Sequence, residues 1–167
     1  MDRDLLELEN HLKQMLAEHQ RLLELVRRKR QAMASASVGL VSDCCQRENE
    51  CVQRIGRLEK SRQELVARIT THCDADAREP MTLGQIADRA GEPARGRLRV
   101  LHASLRELMG VVRSENRVAQ AAADGLLQHV RGVIQSVRQA MSASGTYGRQ
   151  GITPPVATAA SSFTTTA

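Results

Sequence analysis

Residues 98–151 read LRVLHASLRELMGVVRSENRVAQAAADGLLQHVRGVIQSVRQAMSASGTYGRQG, a pattern that predicts a long amphipathic helix followed by a polar tail with one tyrosine. In the first half, apolar residues recur three or four positions apart, at Leu98, Leu101, Leu105, Leu108 and Val112. The pattern resumes as a C-terminal stripe made of Leu126, Leu127, Val130, Val133, Ile134, Val137 and Met141. This spacing puts one apolar face along one side of a helix. That face must be buried against this chain, against a partner, or against both in turn.

Two more helices are predicted before this one. Residues 2–34 carry apolar residues on a 3.5-residue repeat, which is typical of a coiled coil. Ser35, Ser37 and Gly39 interrupt the good helix formers and predict a tight reversal. A second helix over residues 37–73 follows, and the short connection predicts an antiparallel hairpin. Its apolar face is expected to contain Val41, Cys44, Cys45, Cys51, Val52, Ile55, Leu58, Leu65, Val66 and Ile69.

A short helix is predicted between the hairpin and the third long helix. Thr82 and Gln85 have the spacing of a capping box, and Gly91 suits a helix stop, so this helix covers residues 82–90. Pro93 suits the first turn of the next helix, over residues 93–141. The expected fold is all-α, an elongated antiparallel hairpin plus a long third helix in a three-helix coiled-coil bundle. Residues 1–141 form the bundle, and residues 142–167, with little apolar content, form a disordered, flexible tail.

The composition of the chain favours a helical cytoplasmic protein over a secreted or membrane protein. The chain has 167 residues, 1% aromatic residues and a formal charge of +5, which is typical of a thin helical core rather than a bulky globular one. The acidic N-terminus is unlike a secretory signal, and no apolar run approaches the roughly 18 residues that a membrane span needs. Four cysteines in such a chain are interpreted as reduced thiols. The expected compartment is the cytoplasm.

The sequence gives little support for a catalytic, metal or nucleic-acid site. Cys44, Cys45, Cys51 and Cys73 lack the paired spacing of zinc ligands, so no metal is expected. The basic run at 27–30 is interpreted as a solvated helix face. Residues 82–91 resemble half of a helix-turn-helix, but a helix of about 45 residues follows instead of a compact recognition helix, so nucleic-acid binding is not favoured. Neither a nucleophile–base set nor a phosphate-binding loop is recognisable, so the sequence predicts no enzyme and no cofactor.

Helix three contains residues that weaken a helix. Gly110, Gly125 and Gly132 each cost about 1 kcal/mol relative to alanine. A small-residue patch lies between them, at Ala119 and residues 121–123. One interpretation is close packing against the hairpin; the other is a marginal helix that exchanges partners.

Three parts of the chain together resemble the FlgN family of flagellar type III export chaperones. The first is LLELVRRKRQAM, a serine-containing turn and RENECVQRIGRLEKSRQELVARI. The second is PMTLGQIADRAGEPARGRLRVL, and the third is SENRVAQAAADGLLQHVRGVI followed by SASGTYGRQG. They cover residues 5–151.

The resemblance implies a cytoplasmic helical chaperone. It would bind hook–filament junction proteins of the FlgK and FlgL type, keep their terminal helices from polymerising, and deliver them to the export gate protein FlhA. The C-terminal stripe is the expected client-binding face, because an amphipathic client segment needs a temporary apolar partner. The resemblance implies docking to the gate through Tyr147. The alternatives are a DNA-associated helical regulator and a structural coiled-coil oligomer without a client.

Overall fold

The computed structural model describes residues 2–74 and 77–143, and all regular secondary structure in these ranges is helical. Helix α1 spans Asp2–Ala34, α2 spans Val38–Cys73, α3 spans Leu83–Arg89 and α4 spans Ala94–Ala143. The all-α fold class predicted from the sequence is confirmed.

Helices α1 and α2 pack side by side in opposite directions. Near the start of α1, Glu7 accepts a hydrogen bond of 2.8 Å from Arg68, which lies late in α2. Further along α1, the carbonyl of Glu18 lies 3.2 Å from the sulfur of Cys51, which lies earlier in α2. The contacts move forward in one helix and backward in the other, so the pair is an antiparallel hairpin.

The reversal between α1 and α2 is built on Ala36. The Ser37 amide donates to the Ala32 carbonyl at 3.0 Å, and the Ala36 amide donates to the Met33 carbonyl at 3.1 Å. These two bonds form a Schellman motif, in which the residue after the helix adopts the left-handed conformation. Ala36 takes that position with φ of 52°. Gly39, which the sequence pattern places in the reversal, lies instead inside α2, so that prediction is wrong.

Two buried clusters hold the N-terminal part of the fold together. One joins all four helices and includes Leu8, Leu12, Ile69, Ile86 and Leu98. The other joins α1, α2 and α4. Within α4 the buried apolar residues are seven positions apart, which is the spacing of a coiled-coil seam. They are Leu98, Leu105, Val112 and Ala119.

Charged side chains make several contacts between the helices. Arg27 and Arg30 of α1 bind Glu115 of α4, with N–O distances of 3.1 Å and 2.8 Å. Lys29 forms an ion pair with Glu48 of α2. The basic run at 27–30 is therefore not simply a solvated face, because three of its side chains bind acidic partners on other helices.

Some residues assigned to the apolar face of α2 are exposed. Cys44 and Cys51 are fully buried, whereas Cys45 is exposed and Val52 is 54% exposed. A stripe broadened by adjacent residues extends around the helix beyond the contact, so its edges stay in solvent. The predicted face of α2 was therefore too wide.

The link to α4 is fixed at two points. Thr82 and Gln85 form the capping box predicted for α3: the Gln85 amide donates to the Thr82 hydroxyl, and the Thr82 amide donates to Gln85 Oε1 at 2.8 Å. The Met81 amide donates to the Thr70 hydroxyl of α2 at 2.9 Å. The Thr82–Gln85 bonds cap α3, and the Met81–Thr70 bond attaches the start of α3 to the end of α2.

The chain divides into a first unit, Met1–Gly125, and a second unit, Leu126–Ala167. Both buried clusters lie in the first unit. The division falls inside α4, between Gly125 and Leu126. The bundle of residues 1–141 stays a prediction. Of the predicted tail, residues 144–167 lie outside the described residues.

Candidate functional site

The C-terminal stripe lies on one side of α4 in the second unit. At 100° per residue, its seven side chains fall within an arc of about 120° around the helix axis. From Leu126 to Met141 the stripe is roughly 23 Å long. The opposite side of this helical segment carries Gln128, Gln135 and Gln139. This segment is therefore an amphipathic helix whose apolar face can bind an apolar partner.

Every side chain of the C-terminal stripe is exposed. Relative exposure runs from 42% for Leu126 to 69% for Met141. Leu126 and Val133 continue the seven-residue spacing of the buried positions Leu105, Val112 and Ala119, yet both are in solvent. Soluble proteins rarely expose contiguous apolar patches of this kind unless the patch binds something. The structure therefore brings the seven predicted residues together on one continuous exposed face.

Two arginines not singled out from the sequence lie along one edge of this face. Arg131 and Arg138 are seven residues apart and lie beside Leu127 and Ile134 on the helical projection. Within the described residues, neither arginine has an ion pair or a side-chain hydrogen-bond partner. Acidic residues are absent from the sequence after Asp124. The sequence signal that could have identified these arginines is their spacing of seven.

Three of the glycines of α4 are not required by close packing. A β-carbon placed on Gly110, Gly125 or Gly132 would meet no atom within 4 Å. In the small-residue patch, only Ala119 is buried, at 2% exposure, while residues 121 and 122 are exposed. Close packing against the hairpin therefore accounts for Ala119 but not for the glycines.

His19 and Cys51, two side chains of types that can serve as catalytic groups or metal ligands, take structural positions. His19 is buried, and its Nδ1 donates to the Met15 carbonyl at 2.8 Å. Burial raises the pKa of the Cys51 thiol, and its hydrogen bond to Glu18 raises it further. A raised pKa leaves less thiolate at neutral pH, so Cys51 is a poor nucleophile and a poor metal ligand. Both His19 and Cys51 serve the packing of the first unit.

The predicted gate-docking residue, Tyr147, lies outside the described residues. Among residues 2–74 and 77–143, none of the helices has an apolar stretch long enough to cross a bilayer.

The family model described as FlgN protein matches residues 1–155 of the chain. Neither a curated protein nor a solved structure matches significantly.

Proposed function

The chain belongs to the FlgN family of flagellar export chaperones, and from that premise we propose that it holds hook–filament junction proteins of the FlgK and FlgL type in the cytoplasm. The C-terminal stripe of α4 is the proposed client-binding face. The observation that carries this proposal is the exposure of all seven of its side chains on one face. An amphipathic client helix that covers this face removes apolar area from water, which stabilises the complex.

The occupied stripe would keep the client from assembling early. A client helix whose apolar side is covered cannot pack against the same helix of a second client molecule. The proposed role is therefore steric and hydrophobic, and it requires no chemical step. The first unit then serves as the frame of the chaperone, and α1, α2 and the start of α4 are proposed to form its three-helix coiled-coil bundle.

We propose that delivery of the client to the export gate depends on a different residue from those that bind the client. Tyr147 follows Ser142, Ser144 and Gly145, residues that favour the end of a helix. A tyrosine combines a rigid apolar ring with a polar hydroxyl, so it can anchor a contact at modest entropic cost. We assign Tyr147 to docking on the export gate protein FlhA.

The holding step predicts a loss of binding when a charge enters the C-terminal stripe. Val130→Asp or Ile134→Asp should weaken binding of a client terminal peptide at least about tenfold, because a buried carboxylate without a partner costs several kcal/mol. Helix content and melting temperature should stay unchanged, since both residues are exposed. Isothermal calorimetry and circular dichroism measure the two quantities.

Val118→Asp is the matched control for this experiment. Val118 is 47% exposed and Val130 is 44% exposed, both on α4, but Val118 lies outside the C-terminal stripe. The control should bind the peptide normally. Unchanged affinity in Val130→Asp would place the client elsewhere, and outright unfolding would show that the stripe belongs to the core.

The delivery step predicts a separation of two affinities. Tyr147→Ala should leave the affinity for the client peptide unchanged and weaken binding of the loaded chaperone to the cytoplasmic domain of the gate protein. The two titrations are run on the same preparation. Loss in the first titration would put Tyr147 in the client contact, and no loss in either would remove it from both roles.

Each of the two alternative functions predicts a different experimental result. A DNA-associated regulator would show a steep fall of duplex affinity with salt concentration. The structure gives it less support, because Arg27, Lys29 and Arg30 are already in ion pairs. A structural oligomer without a client would show a mass by light scattering that the client peptide does not change.

A further inference from the structure

A second groove lies in the first unit, between α2 and α4, and is distinct from the C-terminal stripe. Its volume is about 630 Å³. Helix α1 supplies the buried side chains Met15 and His19. Ile55 of α2 and Leu105 and Met109 of α4 add further apolar surface. This α2–α4 groove is therefore an open channel with an apolar lining.

The charged side chains of the α2–α4 groove are mostly basic. The one carboxylate in the lining, Glu59, is held by Arg62 through two hydrogen bonds of 2.8 Å and 2.6 Å. Arg106 and Arg113 also line the groove from α4. Neither has an ion-pair or hydrogen-bond partner among the residues that the structure describes. The groove thus presents two uncompensated positive charges beside apolar surface.

Gly110 helps to keep this groove open. It lines the groove between Arg106 and Arg113, and a β-carbon placed on it would meet no atom within 4 Å. A glycine inside a helix weakens the helix relative to alanine. No neighbouring atom needs the missing side chain, so what the glycine provides here is free space in the groove.

We propose that the α2–α4 groove docks an acidic amphipathic helix of a partner protein. The α4 residues that line it run from His102 to Arg113, a length of roughly 17 Å, or about three turns of helix. An apolar helix face fits a groove of this form through side chains three, four and seven positions apart. Arg106 and Arg113 are two helical turns apart, so carboxylates seven residues apart on the partner would meet both.

The positive charge of the groove favours an acidic partner protein as its occupant over the C-terminal part of this chain. Residues 126–167 contain no Asp or Glu and three arginines, Arg131, Arg138 and Arg149. A segment of that sign is repelled by Arg106 and Arg113 rather than attracted. An acidic helix from a different protein satisfies both the apolar lining and the two arginines.

The probe is a 15-residue helical peptide with leucines on one face and two glutamates seven residues apart at its edge. A matched peptide carries lysines in place of the glutamates. The full chain is labelled with ¹³C at its methionine methyl groups. The glutamate peptide should shift the signals of Met15 and Met109, which line the groove, and leave that of Met141 in place. The lysine peptide should shift none of them.

Two variants test the site. Gly110→Leu places an apolar side chain in the groove and should abolish peptide binding. Gly56→Leu is the control and should bind normally, since a β-carbon on Gly56, as on Gly110, has no neighbour within 4 Å outside its own stretch of helix. The double variant Arg106→Glu, Arg113→Glu keeps the lining and should weaken the glutamate peptide about tenfold or more, since each lost pair contributes up to about a factor of five.

Four outcomes would overturn the proposal. A shift of Met141 instead of Met15 and Met109 would put the peptide on the C-terminal stripe. Equal binding of the lysine peptide would remove the acidic class of partner. Normal binding by both Gly110→Leu and the double variant would place the site elsewhere. Self-association of the chain that Gly110→Leu abolishes would make a second copy the occupant. None of these readouts depends on client binding, so the proposed chaperone function stands or falls separately.

Discussion

Glu9 shows how a single polar residue is accommodated in the first unit. Only 2% of Glu9 is exposed, and Arg97 of α4 donates from Nε to both of its carboxylate oxygens at 3.0 Å. Burial of an unpaired carboxylate is unfavourable, and the guanidinium compensates it with charge-assisted bonds. Ala36 is the other residue at which a local cost is accepted. Its left-handed conformation, with φ of 52°, crowds the β-carbon against its own backbone.

Ala36→Gly should stabilise the protein by about 1 kcal/mol, because glycine adopts the left-handed position of a Schellman motif without that crowding. Chemical denaturation followed by circular dichroism measures the change as a higher midpoint at constant slope. Ala34→Gly is the control. Ala34 is the last residue of α1, so glycine at this position is expected to lower the stability of the protein. A lower midpoint for Ala36→Gly would show that Ala36 does not occupy that conformation in solution.

At the scale of one element, α4 uses a single apolar pattern for two purposes. Leu98, Leu105 and Val112 bury their side chains in the two clusters of the first unit. Leu126 and Val133 have the same spacing and stay exposed. The second half of the helix therefore lacks the stabilisation that burial supplies, and Gly132 weakens it further. An element of this kind is suited to gaining its stability from a bound partner.

Gly132→Ala should strengthen the second half of α4 by about 1 kcal/mol, which slows amide hydrogen exchange in residues 126–142 about fivefold. Gly132 lies on the side of the helix opposite to the C-terminal stripe, so the binding face is unaltered. Hydrogen exchange followed by mass spectrometry reports the change by peptide. Gly56→Ala is the control, with a similarly unobstructed glycine in α2. Equal exchange in the variant and the native chain would mean that this half of α4 is not limited by helix stability.

At the scale of the whole molecule, the buried core and the proposed client-binding face lie in different parts of the chain. The first unit, Met1–Gly125, contains both buried clusters, the capped helix α3 and the α2–α4 groove. The C-terminal stripe belongs to the second unit, Leu126–Ala167. The stripe can therefore be changed without removing a side chain from the core.

Truncation after Gly125 should leave a fragment that unfolds cooperatively within a few degrees of the full chain, because residues 126–142, the described part of what is removed, are all exposed. The fragment should lose binding of the client peptide and keep binding of the acidic helical peptide. Differential scanning calorimetry and two peptide titrations measure these properties. A fragment that is unfolded at room temperature would show that the second unit is part of the cooperative core.

The sequence alone determined the helices and the direction of their apolar faces. Hydrophobic periodicity and a local cap such as Thr82 with Gln85 depend on residues a few positions apart, so they can be recognised without a structure. The same periodicity grouped the seven residues of the C-terminal stripe on one face. The resemblance to the FlgN family was confirmed over residues 1–155.

Only the tertiary structure decided what each face contacts. Periodicity gives a direction around a helix axis but does not name a partner, so the sequence could not distinguish Val112, which is buried, from Leu126, which is exposed. The pairing of Arg27 and Arg30 with Glu115 joins residues more than 80 positions apart. The α2–α4 groove likewise exists only because α1, α2 and α4 bring together the side chains that line it. Contacts of this range depend on how whole helices pack, and no local pattern in the chain encodes them.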